Sequence, residues 1–170
     1  LFGSWTVEAW VRPDAGAMDG TFAPVVSRAD DGVTTYNYVL FLYDTDYAVN
    51  GTVNLAPGIL YTDASGTVFS TVWPTAPLVL ANGQTWTHLA AALDRTTGIL
   101  RLYVNGAEVG TATTTNPPAG NIPGLVRTRV GGGFAGAVDE VRIWSVARTG
   151  AQINAALTST LAGTETGLVS

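Results

Sequence analysis

The sequence predicts an all-β fold in which two antiparallel sheets pack as a sandwich, with one short helix near the C-terminal end. Three observations carry this. Short runs rich in Val, Thr, Tyr, Trp and Leu recur along the 170 residues, and such residues suit a pleated, half-buried surface. Turn signals separate the runs, since 20 glycines and 8 prolines supply the positive-φ and fixed-φ positions that tight reversals need. A helical reading is confined to one stretch, Gly150 to Leu157.

Taken in order, Ser4 to Arg12 is the first strand, ended by Pro13-Asp14-Ala15-Gly16. Ala23 to Arg28 is the second, closed by Asp30-Asp31-Gly32. Tyr36 to Tyr43 is almost wholly apolar, which predicts burial on both faces, and Asp44-Thr45-Asp46 turns it back. Strands follow near Gly51 to Leu55, Gly58 to Tyr61 and Thr67 to Trp73, broken by Pro57, Pro74 and Pro77. Trp86 to Asp94 and Ile99 to Val104 flank the turn Arg95-Thr96-Thr97-Gly98. Asn105-Gly106 is a two-residue hairpin signal, because both positions tolerate positive φ, and it leads into Ala107 to Thr113. After a loop-like stretch, Arg127 to Gly131 is a short strand ending in Gly131-Gly132-Gly133. Ala137 to Trp144 is the last strong strand, and Thr149 is placed to cap the helix that follows. Thr164 to Ser170 reads as a terminal strand or as the lead into another module.

Apolar residues at 46% and charged residues at 12% can fill a core and argue against disorder. The length suits one domain over residues 1–170, with a core from about residue 4 to 157. No apolar run reaches the roughly 18 residues of a membrane span, no signal-peptide pattern is present, and the chain opens on Leu1. It is therefore expected to be one domain of a larger multidomain protein. The formal charge is −5 and all eight cations are arginine. Without a basic cluster, nucleic acid and anionic membranes are poor partners, whereas neutral ligands or a divalent cation suit the acidic balance. The absence of cysteine excludes disulfides, zinc-thiolate sites and thiol nucleophiles.

Three segments, in order and spacing, resemble the laminin-G-like jelly-roll family of the concanavalin A-like superfamily: Trp5-Thr6-Val7-Glu8-Ala9-Trp10-Val11-Arg12-Pro13; Trp86-Thr87-His88-Leu89-Ala90 with Leu102-Tyr103-Val104-Asn105-Gly106; and Gly136-Ala137-Val138-Asp139-Glu140-Val141-Arg142-Ile143-Trp144. The resemblance implies a jelly-roll β-sandwich whose first and last strands lie together. Period-2 alternation puts Glu8, Trp10 and Arg12 on one face of the first strand. Antiparallel pairing would then bring Glu8 to Arg142 and Arg12 to Glu140, which would specify register.

The single histidine, His88, sits mid-strand and reads as a packed residue; no nucleophile-elbow sequence accompanies it. Glycoside hydrolases on this jelly-roll fold carry a Glu-x-Asp-x-(x)-Glu strand signature. None of the four glutamates, Glu8, Glu108, Glu140 and Glu165, lies in that pattern, so no enzymatic activity is expected. The resemblance also implies a calcium site in some members. Strand parity places Asp139 on the core side with Val141 and Ile143, where a carboxylate needs a cation or donors. Asp30 and Asp31 beside Gly32 form a second oxygen cluster. A sugar site needs aromatic rings with polar groups beside them. Tyr36, Tyr38, Tyr43, Asp44, Asp46 and Tyr47 supply these, with Tyr61, Asp63 and Trp73 as candidate neighbours. Asn50-Gly51-Thr52 matches a glycosylation acceptor. The sequence thus points to a non-catalytic extracellular module that binds carbohydrate or a glycoprotein, with calcium as the cofactor the resemblance implies. A structural or protein-adhesion module and a divergent glycoside hydrolase are the other readings.

Overall fold

A computed structural model of the chain describes residues 3–14, 22–30, 35–44, 55–72, 85–114, 126–132 and 135–170. Among them run β1 (Trp5–Pro13), β2 (Phe22–Asp30), β3 (Tyr36–Asp44), β4 (Leu55–Thr62), β5 (Val68–Val72), β6 (Thr87–Asp94), β7 (Ile99–Val104), β8 (Ala107–Thr113), β9 (Val126–Val130), β10 (Gly136–Trp144) and the helix α1 (Gly150–Ala156). The strands form two antiparallel sheets, a jelly-roll sandwich. Sheet A has the order β10-β1-β6-β7-β8 and sheet B the order β5-β4-β3-β2-β9. The first and last strands pair, as the sequence predicts.

The core lies between the sheets. Trp5, Val7, Ala9 and Val11 of β1, with Leu89 and Leu93 of β6, meet Tyr38, Leu40 and Leu42 of β3 and Leu55, Ile59 and Tyr61 of β4. Each fully buried aliphatic side chain contributes about 1.5–3 kcal/mol of transfer free energy. β3 is buried on both faces as expected: Val39 and Phe41 are as enclosed as Leu40 and Leu42. Gly58 of β4 leaves room for the Phe41 ring, which lies where a Cβ would stand.

Pro57 does not break β4. It sits within the strand opposite Leu42, and among the described residues β5 pairs with β4 from Gly58 onward. The predicted Gly51 to Leu55 strand lies outside the described residues except for Leu55, which opens β4.

Two register shifts matter for function. In β10, Glu8 faces Arg142 but Trp10 faces Asp139. Glu140 and Val141 therefore share one position opposite Ala9, and Glu140 has φ 48°, a β-bulge that reverses side-chain parity. Val138 and Val141 both pack on the core, while Asp139 is exposed. The core-side placement predicted for Asp139 is thus corrected, and so is the pairing of Arg12 with Glu140, since Arg12 faces Ala137. In β3, Arg28 faces Tyr38 but Ala29 faces Tyr36, so Tyr36 and Tyr38 point to opposite faces.

The C-terminal segment covers the outer face of sheet A. Thr149 caps α1 through a reciprocal box with Gln152, as its position predicts. Ile153 packs on Ala90, Ala92 and Tyr103, the alanines leaving space for the helix. Leu168 then bridges Trp144, and the Val169 amide donates to the Ile143 carbonyl at 2.7 Å.

The hairpins depend on glycine where φ is positive. Gly98 has φ +70°, and a Cβ there would lie 2.2 Å from the Thr114 carbonyl oxygen, whereas Gly66, at φ +84°, has open space around it. Gly66→Ala should cost about 1 kcal/mol from backbone conformation alone, and Gly98→Ala about 2–4 kcal/mol because the β7–β8 ladder must also shift. Urea unfolding of both variants checks this; equal losses would contradict the steric argument.

Candidate functional site

The titratable groups gather on the outer face of sheet A, under the C-terminal segment. The Glu8 carboxylate is fully buried. It accepts hydrogen bonds from Trp144 Nε1 at 2.7 Å and from an Arg148 guanidinium nitrogen at 2.9 Å, and its Oε2 lies 3.4 Å from His88 Nε2. The Trp10 ring stands edge-on to His88 at 5.4 Å, and its Nε1 donates to the Leu157 carbonyl. Burial alone would raise the Glu8 pKa; the close approach of His88, the hydrogen bond from Trp144 and the charge of Arg148 outweigh it and hold the carboxyl below its ordinary 4.5. Glu8 and Arg142 are backbone partners as predicted, but the Arg142 guanidinium turns to Glu140 and to the carbonyls of Ala156 and Ser159, each at 2.8 Å. Glu8 and His88 are enclosed, at 0% and 1% exposure, and the cluster clasps the C-terminal segment to sheet A.

Two of the three metal candidates lie among the described residues. Asp139 accepts from the Glu140 amide at the bulge, 2.8 Å away. Asp30 is buried at the end of β2, where its Oδ1 accepts from the Thr35 amide. Asp31 lies outside the described residues. Among the described residues no three acidic or histidine side chains come together to hold an ion.

Among the described residues a groove on the outer face of sheet B crosses β9, β2 and β3. Its origin is sequence-local. The middle strand, β2, presents the small side chains of Ser27 and Ala29, so the floor is low. Tyr36, Ala29 and Arg127 stand in one row across the three strands, and Val39, Ser27 and Arg129 in the next. Tyr36 and Val39 form one wall and Arg129 the other, while Phe22 and Pro24 close an end around a cavity of about 220 Å³. The Tyr36 amide donates to Thr62 Oγ1 at 2.9 Å, which anchors the wall to β4. The Phe22 ring packs on Phe41 at 4.6 Å, and Tyr43 faces Phe22 across the ladder and is exposed.

Of the aromatic candidates, Tyr36 is therefore in the groove and Tyr43 flanks it. Tyr38 is corrected: its ring lies in the core 5.4 Å from Trp5, and burial pushes its phenol up to about 12. Tyr61 is also core, and Asp63 accepts from the Ser65 and Thr67 amides in a turn. Asp44 ends β3 opposite Leu55. Asp46, Tyr47, Trp73 and the Asn50-Gly51-Thr52 acceptor lie outside the described residues. Sequence reasoning missed Phe22 and Arg129. Trp86 is exposed at 37% and lies under the Arg12 guanidinium at 5.4 Å.

Residues 2–154 match the concanavalin A-like lectin/glucanases superfamily in its laminin-G form. The chain belongs to this superfamily. No curated protein matches it. Solved structures share the architecture. A protein of Bacteroides ovatus, provisionally assigned as carbohydrate binding, superposes with TM-score 0.67 at 23% identity over 98% of this chain and 44% of that one. The CBM40 module of a Ruminococcus gnavus IT-sialidase gives 0.68 at 12%, over 94% and 84%. Domain 4 of an extracellular arabinanase from Geobacillus stearothermophilus, in complex with arabinotriose, gives 0.57 at 24%, over 91% and 68%. At these identities the likeness is one of fold. This chain spans less than half the length of the Bacteroides protein.

The clasp predicts a pH-dependent stability difference. A depressed folded pKa stabilises fully above the unfolded value of about 4.5, and that stabilisation fades as pH falls through the lower folded value. Glu8→Gln should cost about 3–5 kcal/mol at pH 7 by leaving Arg148 unpaired, and the gap from wild type should narrow below about pH 4.5. Urea titrations between pH 3 and 7 measure it; a gap independent of pH would contradict the assignment.

Proposed function

We propose that this domain is a non-catalytic carbohydrate-binding module whose sugar site is the groove on the outer face of sheet B. The observation that carries the reading is the ring-walled groove over a floor of Ser27 and Ala29. A sugar offers an apolar C–H face to an aromatic ring and hydroxyls to polar groups at its edge, and Tyr36 and Arg129 provide both within one cavity. At about 220 Å³ the cavity is smaller than the roughly 300 Å³ at which drug-sized pockets begin, which suits one terminal or branching sugar unit. Neighbouring folds support the class: the sialidase module was solved with sialyllactose and the arabinanase domain with arabinotriose. The same comparisons support an extracellular setting within a longer chain.

The non-catalytic part rests on where the acids are. The groove lining contains no carboxylate among the described residues, and glycoside hydrolysis needs two.

A glycan array with wild-type domain and Tyr36→Ala tests the reading. Wild type should retain at least one glycan class, and the variant should bind it about tenfold more weakly with its far-UV circular dichroism unchanged. An array on which the wild-type domain retains nothing removes the carbohydrate reading and favours a spacer or adhesion role.

A further inference from the structure

We infer that the groove selects an acidic sugar, with Arg129 holding its carboxylate; this rests on the reading of the groove as a sugar site. Most of the described arginines are engaged within the fold. Arg148 is bound to Glu8 and Arg142 to Glu140. Arg101 pairs with Glu108, Arg28 donates to Asn37, and Arg12 lies over Trp86. Arg129 makes no hydrogen bond or ion pair among the described residues. It is half-buried on the outer face of β9 and lines the groove directly.

Its surroundings set the ligand chemistry. Arg127 lies two residues away on the same strand, so both project from the outer face, and both stand beside the small floor residues Ala29 and Ser27. Asp30, the acid that ends the same floor strand, is buried and engaged with Thr35. The cavity thus joins the Tyr36 side to the half-buried Arg129 side chain, and its lining holds no carboxylate among the described residues. A guanidinium presents a planar fork that fits a carboxylate bidentately. A sugar that stacks on Tyr36 and turns a carboxylate across the floor satisfies both walls; a neutral sugar satisfies one. The chain's net charge of −5 does not oppose this, because charges beyond a Debye length of about 8–10 Å are screened.

Calorimetry with matched pairs tests the class: trigalacturonate against its methyl ester, and sialyllactose against its methyl ester, on wild type, Arg129→Gln and Arg129→Lys. At least one acid should bind wild type about 10- to 100-fold tighter than its neutral twin, and the preference should weaken with added salt. Arg129→Gln should abolish the preference, lowering the affinity for the acid far more than for its neutral twin, and Arg129→Lys should keep part of it. Neutral and acidic twins bound equally by wild type, or a preference unchanged in Arg129→Gln, would overturn the acidic assignment and leave the sugar groove standing. No binding of any of the four probes, together with an empty array, would remove both.

Discussion

The buried carboxylate of Glu8 ties together elements that the chain order keeps far apart. It stands on β1, the strand that β10 and β6 flank, and it takes donors from Trp144 on β10 and Arg148 in the segment that leads into α1. A carboxylate desolvated to this degree is tolerated only when charge and hydrogen bonds replace the lost water. The replacement comes from the C-terminal segment, so that segment must lie over sheet A for β1 to be stable. One face of the sandwich is thereby committed to structure. Thr6 and Trp10, which alternate with the core residues of β1, serve the same cover: Thr6 bonds the Val146 carbonyl and the Arg148 amide, and Trp10 the Leu157 carbonyl. The outer face of sheet B has no such requirement, and its strands can carry side chains chosen for a ligand.

Much of the fold was legible because local signals and the global arrangement agree. Period-2 alternation in β1 separates Trp5, Val7, Ala9 and Val11 from Thr6, Glu8, Trp10 and Arg12, and the sheets bury the two sets on opposite faces. Asn105 and Gly106 both adopt positive φ, as their order in a two-residue hairpin requires. Failures fall where one residue is inserted into a ladder. The bulge at Glu140 turns Asp139 outward, and the shift at Asn37 separates Tyr36 from Tyr38. Parity arguments are right up to such a point and inverted beyond it, and a single sequence carries little that marks it.

The groove was only half legible for a different reason. Tyr36 could be named as a surface ring from composition alone. Its partners could not, because β9 joins β2 across about a hundred residues of chain, and nothing in Val126-Arg127-Thr128-Arg129-Val130 says which strand it pairs with. The alternation of the two arginines does say that they share a face. What the sequence withheld was the neighbour on that face, and a groove is a property of neighbours: it exists because Ser27 and Ala29 are short and flanked on both sides by longer side chains.

The arginines also show why net charge is a weak guide to ligand class. A chain at −5 with eight cations looks suited to neutral ligands or to a divalent cation when charges are summed. Yet Arg142 and Arg148 are consumed in holding the C-terminal segment, Arg101 in a cross-strand pair, and Arg12 against an indole. Glu8 and Asp30 on the acidic side are likewise spent inside the fold. The field a ligand meets is set by the few charges that structure has left uncommitted and by the dielectric of the cavity they line. At the groove, among the described residues, that charge is the half-buried Arg129, although the protein as a whole is acidic.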